Sequence, residues 1–257
     1  MAAQRLTQLE PATLYVMPGS QYSAKVIAAL TSRGIPHHCA FVHAVPSKRV
    51  LPSGGTLVPE ALIDDEVVPD SDAILRHYDE RHGTGFFPDD AARALTHRLS
   101  YGVLAGAVLY YNWVHWPSYE RSMRALFASM LPSYVCGPLR GLLTDYLTRD
   151  VRHSFRLKAA QQMGDLPNAA LDNEGAIRAR LIEELLSVQA LLATPEQAQL
   201  LASAERPGAA DFSLYAMLER LIGDVGDASV PNSLPDLAGA RASVLACCGR
   251  NHRPVHV

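Results

Sequence analysis

Twelve positions separate Pro59, in the triplet Leu57-Val58-Pro59, from Ser71, in the run Asp70-Ser71-Asp72-Ala73-Ile74. A proline entering a short strand leaves main-chain N–H and C=O groups at its approach, and an acidic residue with a hydroxyl at a helix start sits beside free amides. That combination suits a small peptide-like ligand, held by its backbone at one end and by a carboxylate at the helix terminus. The elements that position these residues can be read from the surrounding pattern.

Thr13 to Met17 is apolar or β-favouring, Pro18-Gly19-Ser20 breaks the run, and Ala24 to Leu30 resumes with helical spacing. Gly34 stands where a helix C-terminal glycine belongs, and His37 to Val42 reads as a second strand. Ala61-Leu62-Ile63, an Asp64-Asp65 turn and Val67-Val68 predict a hairpin. Asp70 and Ser71 then open a helix ending near His82. Gly83-Thr84-Gly85 and Pro88-Asp89-Asp90 form a turn-rich linker, which divides the chain into a first domain at 1–83 and a second at 92–257.

Beyond the linker, strand signals stop. Leu95, Leu99 and Val103 are spaced by fours, Ile177, Leu181, Leu185 and Val188 repeat the pattern, and Leu214, Leu218 and Leu221 make a further stripe. Gly102 to Val114 reads as a buried helix, and about Pro132 to Gly175 as several short helices. The expected fold is therefore an α/β domain followed by an all-α domain.

Composition limits the function classes. The chain has 257 residues, 48% hydrophobic and 19% charged, with a net charge of −3, so nothing in its overall charge points to nucleic acid. Cys39, Cys136, Cys247 and Cys248 are too scattered for a disulfide framework, and the first ten residues lack the apolar core of a signal peptide. A reducing, cytoplasmic compartment is the expectation. The greasiest stretch is shorter than the ~20 residues of a membrane span. The histidines, including His37-His38, His252 and His256, carry no metal-ligand spacing, and no Walker loop or GxGxxG element occurs. No metal is expected.

The order β-α-β, β-β-α, then helices, with Leu57-Val58-Pro59 and Asp70-Ser71-Asp72-Ala73-Ile74 at this spacing, resembles the glutathione transferase superfamily: a thioredoxin-like N-terminal domain followed by a helical bundle. The resemblance implies a cis proline at Pro59, glutathione held through the main chain of Val58 before it, and Asp70 and Ser71 at the γ-glutamyl end. Counting back from Gly34-Ile35, it places Ser20 at the position that is serine or cysteine across the family's classes. There a serine hydroxyl donates to the glutathione sulfur and stabilises its anion, lowering a thiol pKa that starts near ~8.5. Ser20 after Pro-Gly also suits a helix N-cap, and Tyr22, Ser23 and Tyr15 are rival hydroxyls. Ser20-Gln21-Tyr22-Ser23 lacks both cysteines of a redox motif, which disfavours disulfide exchange.

The resemblance further implies a glutathione transferase of detoxification type, acting on a small apolar electrophile by conjugation or reduction, and a homodimer. Maleylacetoacetate isomerisation is disfavoured, because that class's Ser-Ser-Cys signature is absent. Ser20 to Val26, with Tyr110-Tyr111-Asn112-Trp113 and Trp116-Pro117, is similar to metaxin-related members. That likeness keeps open a non-catalytic binding protein. Tyr22, Tyr111 and Trp113 are the candidates for the electrophile pocket, helix packing being their alternative role. Lys48 and Arg49 lie in a loop that can meet a carboxylate or face water. Arg149, Arg152, His153, Arg156 and Lys158 form a basic run that can attract anions or be a solvated helix face. Gly208-Ala209-Ala210-Asp211 resembles the family's capping box with its hydroxyl residue replaced by glycine.

Overall fold

The computed structural model describes residues 6–43, 49–129, 131–164, 171–193, 206–225, 241, 242 and 244–246. Strand β1 (Ala12–Val16) buries Ala12, Leu14 and Val16 and leaves Thr13 and Tyr15 partly exposed, the two-residue period of a strand with one covered face. Helix α1 (Gln21–Ser32) ends in a left-handed glycine: Gly34 has φ 64°, its N–H donates to Thr31 O, and the Ile35 N–H donates to Leu30 O. Both bonds satisfy carbonyls that the helix end leaves over.

Strand β2 (His37–Phe41) returns parallel to β1, while β3 (Glu60–Ile63) pairs antiparallel to β1 on the other side and to β4 (Glu66–Pro69) beyond it. The sheet order is β2-β1-β3-β4. Asp64 and Asp65, at φ 49° and 64°, supply the two left-handed residues that a two-residue hairpin turn needs. Strand β2 forms the edge and leaves Phe41 63% exposed, so it is less buried than a strand in the sheet interior. Helix α2 (Ser71–His82) closes the first unit. The Asp79 carboxylate then organises the linker, accepting from the Phe86 N–H at 2.8 Å and the Phe87 N–H at 2.7 Å.

The rest of the described chain is helical: α3 (Asp90–Tyr101), α4 (Val103–Leu109), a π-helical turn (Tyr110–Val114), α5 (Trp116–Ser129), α6 (Gly137–Gln162), α7 (Glu174–Ala193) and α8 (Ala209–Val225). Two readings are corrected. Leu95, Leu99 and Val103 do not share one helix, because Gly102 is extended and ends α3 with its N–H on Arg98 O. The stretch read as several short helices contains instead the 26-residue helix α6. Its apolar pattern is irregular because it packs against α4, the π turn and α5 at once. The stripes of α7 and α8 are buried as their spacing predicts.

Two apolar cores result, and each contains residues from both parts of the chain. One joins Leu14, Leu30, Ile74 and Leu75 to Ala209, Phe212 and Tyr215 of α8. The other is built on α4 to α7 but takes in Met17, Val42 and Leu51, with Tyr15, Tyr22 and Val58 packed on it. The start of α8 is fitted closely to the linker: the Ala209 N–H donates to Phe86 O at 2.8 Å. A Cβ on Gly208 would lie 3.2 Å from that same oxygen, which accounts for glycine at the position of the expected hydroxyl residue. The reciprocal half of the cap survives, Asp211 Oδ2 accepting from the Gly208 N–H at 2.8 Å.

Burial pushes the Asp211 pKa up to about 7, against the pull of its backbone hydrogen bonds and of Arg33. An unfolded aspartate titrates near ~3.9, so the folded state binds this proton more tightly. The group's stabilising contribution is whole below the unfolded value and is lost as pH rises through about 7. Asp211→Asn keeps an acceptor for the Gly208 N–H and removes the titration. The Tm of the wild type relative to this variant is expected to fall as pH rises from about 5 to 8. Parallel thermal melts across that range would contradict the assignment.

Candidate active site

The start of α2 meets the chain at the cis bond between Val58 and Pro59, and α1 is joined to α2 by the ion pair of Lys25 with Asp72. Val58 is partly buried against the helical core, and among the described residues neither its N–H nor its C=O has a hydrogen-bond partner. Its neighbours are tied down on both sides. Pro59 O accepts from the Asp70 N–H at 3.1 Å, and the buried Glu60 carboxylate accepts from the Ser53 N–H at 2.9 Å. Arg49 braces the same loop, donating to His43 O at 2.9 Å and to Thr56 O, so its guanidinium serves the loop's own carbonyls. Lys48 lies outside the described residues, as do Cys247, Cys248, His252 and His256.

Ser20 is the N-cap of α1: its backbone is extended and its Oγ accepts from the Ser23 N–H at 3.3 Å. The hydroxyl proton is donated to none of the described residues, so capping leaves the donor over. The rival hydroxyls are committed differently. Ser23 Oγ turns back to accept from the Met17 N–H at 3.4 Å, and Tyr22 donates to Ser100 O at 3.0 Å. Burial pushes the Tyr22 pKa up to about 12, with Gln162 and Gln21 opposing, which keeps it a neutral phenol. Tyr15 packs on the helical core.

At α2, Asp70 is the N-cap, Oδ1 accepting from the Asp72 N–H at 2.8 Å and the Ala73 N–H at 3.4 Å. Its other oxygen accepts from the Tyr101 hydroxyl of α3 at 2.8 Å. Ser71 follows as the first helical residue, fully buried, with no partner for its Oγ among the described residues. A buried hydroxyl left unmatched beside helix-terminal amides is an unspent hydrogen-bonding group. Asp70, Tyr101, Asp72, Arg76, Arg93 and His97 also line a cleft of about 380 Å³ between α2 and α3.

Lys25, in the second turn of α1, is 1% exposed and makes an ion pair with Asp72 of α2. Its ammonium also donates to Ser100 Oγ at 3.1 Å, and Ser100 donates on to Ser213 Oγ at 3.1 Å. Burial pulls the Lys25 pKa down while Asp72 holds it up. This network fixes α1 and α2 to each other and to α3 and α8.

The other aromatic candidates sit deeper. Tyr111 and Trp113 are buried in the helical core, the Trp113 ring stacking on Phe155 with centroids 4.5 Å apart, an arrangement that packs helices. The basic run divides by position. Arg152 donates to the Trp113 and Val114 carbonyls at the end of the π turn, Arg156 pairs with Asp172, and Arg149 and His153 are exposed. Lys158 comes within 6.0 Å of the Tyr22 ring. Among the described residues no group of three or more His, Cys, Asp or Glu is placed to hold a metal ion. No described helix is long and apolar enough to cross a membrane.

Residues 14–85, which contain Ser20, Val58, Pro59, Asp70 and Ser71, match the family model of the glutathione S-transferase N-terminal domain. That match covers the thioredoxin-like first part of the chain. Solved structures extend the likeness of fold along the chain. A glutathione transferase from Phanerochaete chrysosporium superposes with a TM-score of 0.61 at 16% identity, over 95% of this chain and 99% of that one. The β-etherase LigF from Sphingobium gives 0.61 at 16% identity, over 96% and 97%. A glutathione transferase from Methylobacterium radiotolerans, in complex with glutathione sulfonate, gives 0.56 at 17% identity, over 96% and 93%. No curated protein matches the chain by sequence.

Sequence reasoning missed Lys25, Tyr101, Ser100 and Glu60. The one local signal was a lysine interrupting the apolar run Ala24 to Leu30, which a solvated helix face explains equally well. Lys25→Met leaves the Asp72 carboxylate without its ammonium and removes a donor from Ser100, and is expected to cost about 2–3 kcal/mol in chemical denaturation. A double-mutant cycle with Asp72→Asn should return a coupling of about 1–3 kcal/mol. Additive losses would show that the pair does no joint work.

Proposed function

We propose that this protein is a member of the glutathione transferase superfamily and a glutathione transferase acting on a small apolar electrophile. The observation that carries the proposal is the main chain of Val58 at the cis bond, without a hydrogen-bond partner among the described residues and next to Pro59, whose carbonyl is tied to the start of α2. Glutathione's cysteinyl backbone pairs with the Val58 N–H and C=O. Its γ-glutamyl carboxylate takes the hydroxyl and N–H of Ser71 at the start of α2, and its ammonium faces Asp70. The sulfur then lies at the start of α1, where the Ser20 hydroxyl donates to it and the helix dipole favours the thiolate.

The thiolate attacks the electrophile at the junction of the two cores. In conjugation a carbon–sulfur bond forms as the leaving group departs with its electron pair. With an activated ether or halide, a second glutathione can attack that thioether sulfur and give reduced product and glutathione disulfide. Tyr22 forms the wall nearest the sulfur, with Tyr111 and Trp113 supporting it from the helical core. The protein is further proposed to be a cytoplasmic homodimer of detoxification type.

The engagement of Ser20 Oγ as a helix cap favours one alternative, a glutathione-binding protein without turnover. Two measurements separate the readings. Calorimetric titration should show glutathione binding, weakened about tenfold by Ser71→Ala through loss of a hydrogen bond to a charged group. With 1-chloro-2,4-dinitrobenzene, Ser20→Ala should lower kcat/KM by about 10- to 100-fold and raise the pKa of the bound thiol. Unchanged kinetics in that variant, or binding without any turnover in the wild type, would assign Ser20 to capping alone.

A further inference from the structure

Lys158, near the end of α6, is partly buried, and among the described residues it has no hydrogen bond and no ion pair. Of the arginines on the same helix, Arg152 is spent on carbonyls and Arg156 pairs with Asp172. The Lys158 ammonium stands 6.0 Å from the centroid of the Tyr22 ring, at the outer limit of a cation–π contact, which compensates little of the lost hydration. Burial pulls its pKa down and the field of Asp70 opposes that pull, so a charge in poor solvent has an acid in range but not in contact. An arriving anion would restore what burial removed.

The anions of glutathione already have partners in the reading above: the sulfur has Ser20, and the γ-glutamyl carboxylate has Ser71. Lys158 comes instead from the helical part of the chain and reaches the ring of Tyr22. The Tyr22 ring is a fixed platform, stacked on Tyr101 with centroids 5.8 Å apart and planes at 21°, its hydroxyl anchored on Ser100 O. An aromatic ring with an ammonium over it, unpaired among the described residues, fits an aromatic ligand that carries a negative charge.

We propose that Lys158 sets the specificity of the second-substrate site for an aromatic electrophile bearing a carboxylate or phenolate, with its ring against Tyr22 and its anion on the Lys158 ammonium. This rests on the glutathione transferase reading, and refines the apolar electrophile to an aromatic acid.

The test uses unreactive probes with the full chain, so that binding is read apart from turnover. In calorimetric titrations, 3-nitrobenzoate is expected to bind the wild type about tenfold more tightly than the uncharged 3-nitrobenzamide. Lys158→Met should abolish that preference while leaving the benzamide affinity in place, which also reports that the variant is folded. Lys158→Arg should retain it. Equal affinities in the wild type, no binding of either probe, or a preference that survives Lys158→Met would overturn the inference. A separate glutathione titration reports on the underlying reading. If glutathione fails to bind while the nitrobenzoate preference depends on Lys158, the anion site stands and the transferase reading falls.

Discussion

A lysine ammonium with 1% of its surface exposed can stay charged in this fold because Asp72 and Ser100 meet it. An isolated buried cation is among the most costly groups a protein can hold, and a paired one roughly breaks even against an apolar side chain. The value of Lys25 therefore lies in position more than in net stability. It is satisfied only when α1, α2 and α3 stand in one arrangement, with α8 joined through Ser213. That arrangement also fixes the start of α2, whose Asp70 N–H is held by Pro59 O next to Val58.

The interlocking cores enforce the same geometry from the apolar side. Phe212 and Tyr215 of α8 complete the core beneath the sheet, while Met17, Val42 and Leu51 complete the core of the helical part. Neither part buries its apolar surface alone, so the junction between them is set by close packing. Tyr22, Val58 and Lys158 face that junction from its two sides. A ligand held along Val58 would present its reactive end to residues that packing has already fixed, which limits the reorganisation that binding requires.

Local residue types showed what depends on a few neighbours in the chain. The hairpin followed from Asp64-Asp65, the first helix end from Gly34, the second helix start from Asp70, and each is a cap or turn whose chemistry spans three or four residues. Ser20, Val58 and Ser71 were legible as candidates because a helix start and an X-Pro bond are local features. The Lys25 to Ser213 relay was not, since its members lie far apart in sequence and none carries a distinctive pattern. Helix α6 was misread for a related reason: it is covered on several sides, and its residues answer to three neighbours instead of one face. Trp113 and Tyr111 were candidates by residue type, and their burial in the helical core, with Trp113 stacked on Phe155, is a fact of packing that sequence does not carry.

The central claim is that the main chain of Val58 and the starts of α1 and α2 form one glutathione site. A crystal structure with glutathione sulfonate tests it most directly. The account predicts the cysteinyl backbone paired with the Val58 N–H and C=O, the γ-glutamyl carboxylate on Ser71, and the sulfonate at the Ser20 hydroxyl. A ligand lying elsewhere, or one that leaves the Val58 main chain and Ser71 untouched, would contradict it.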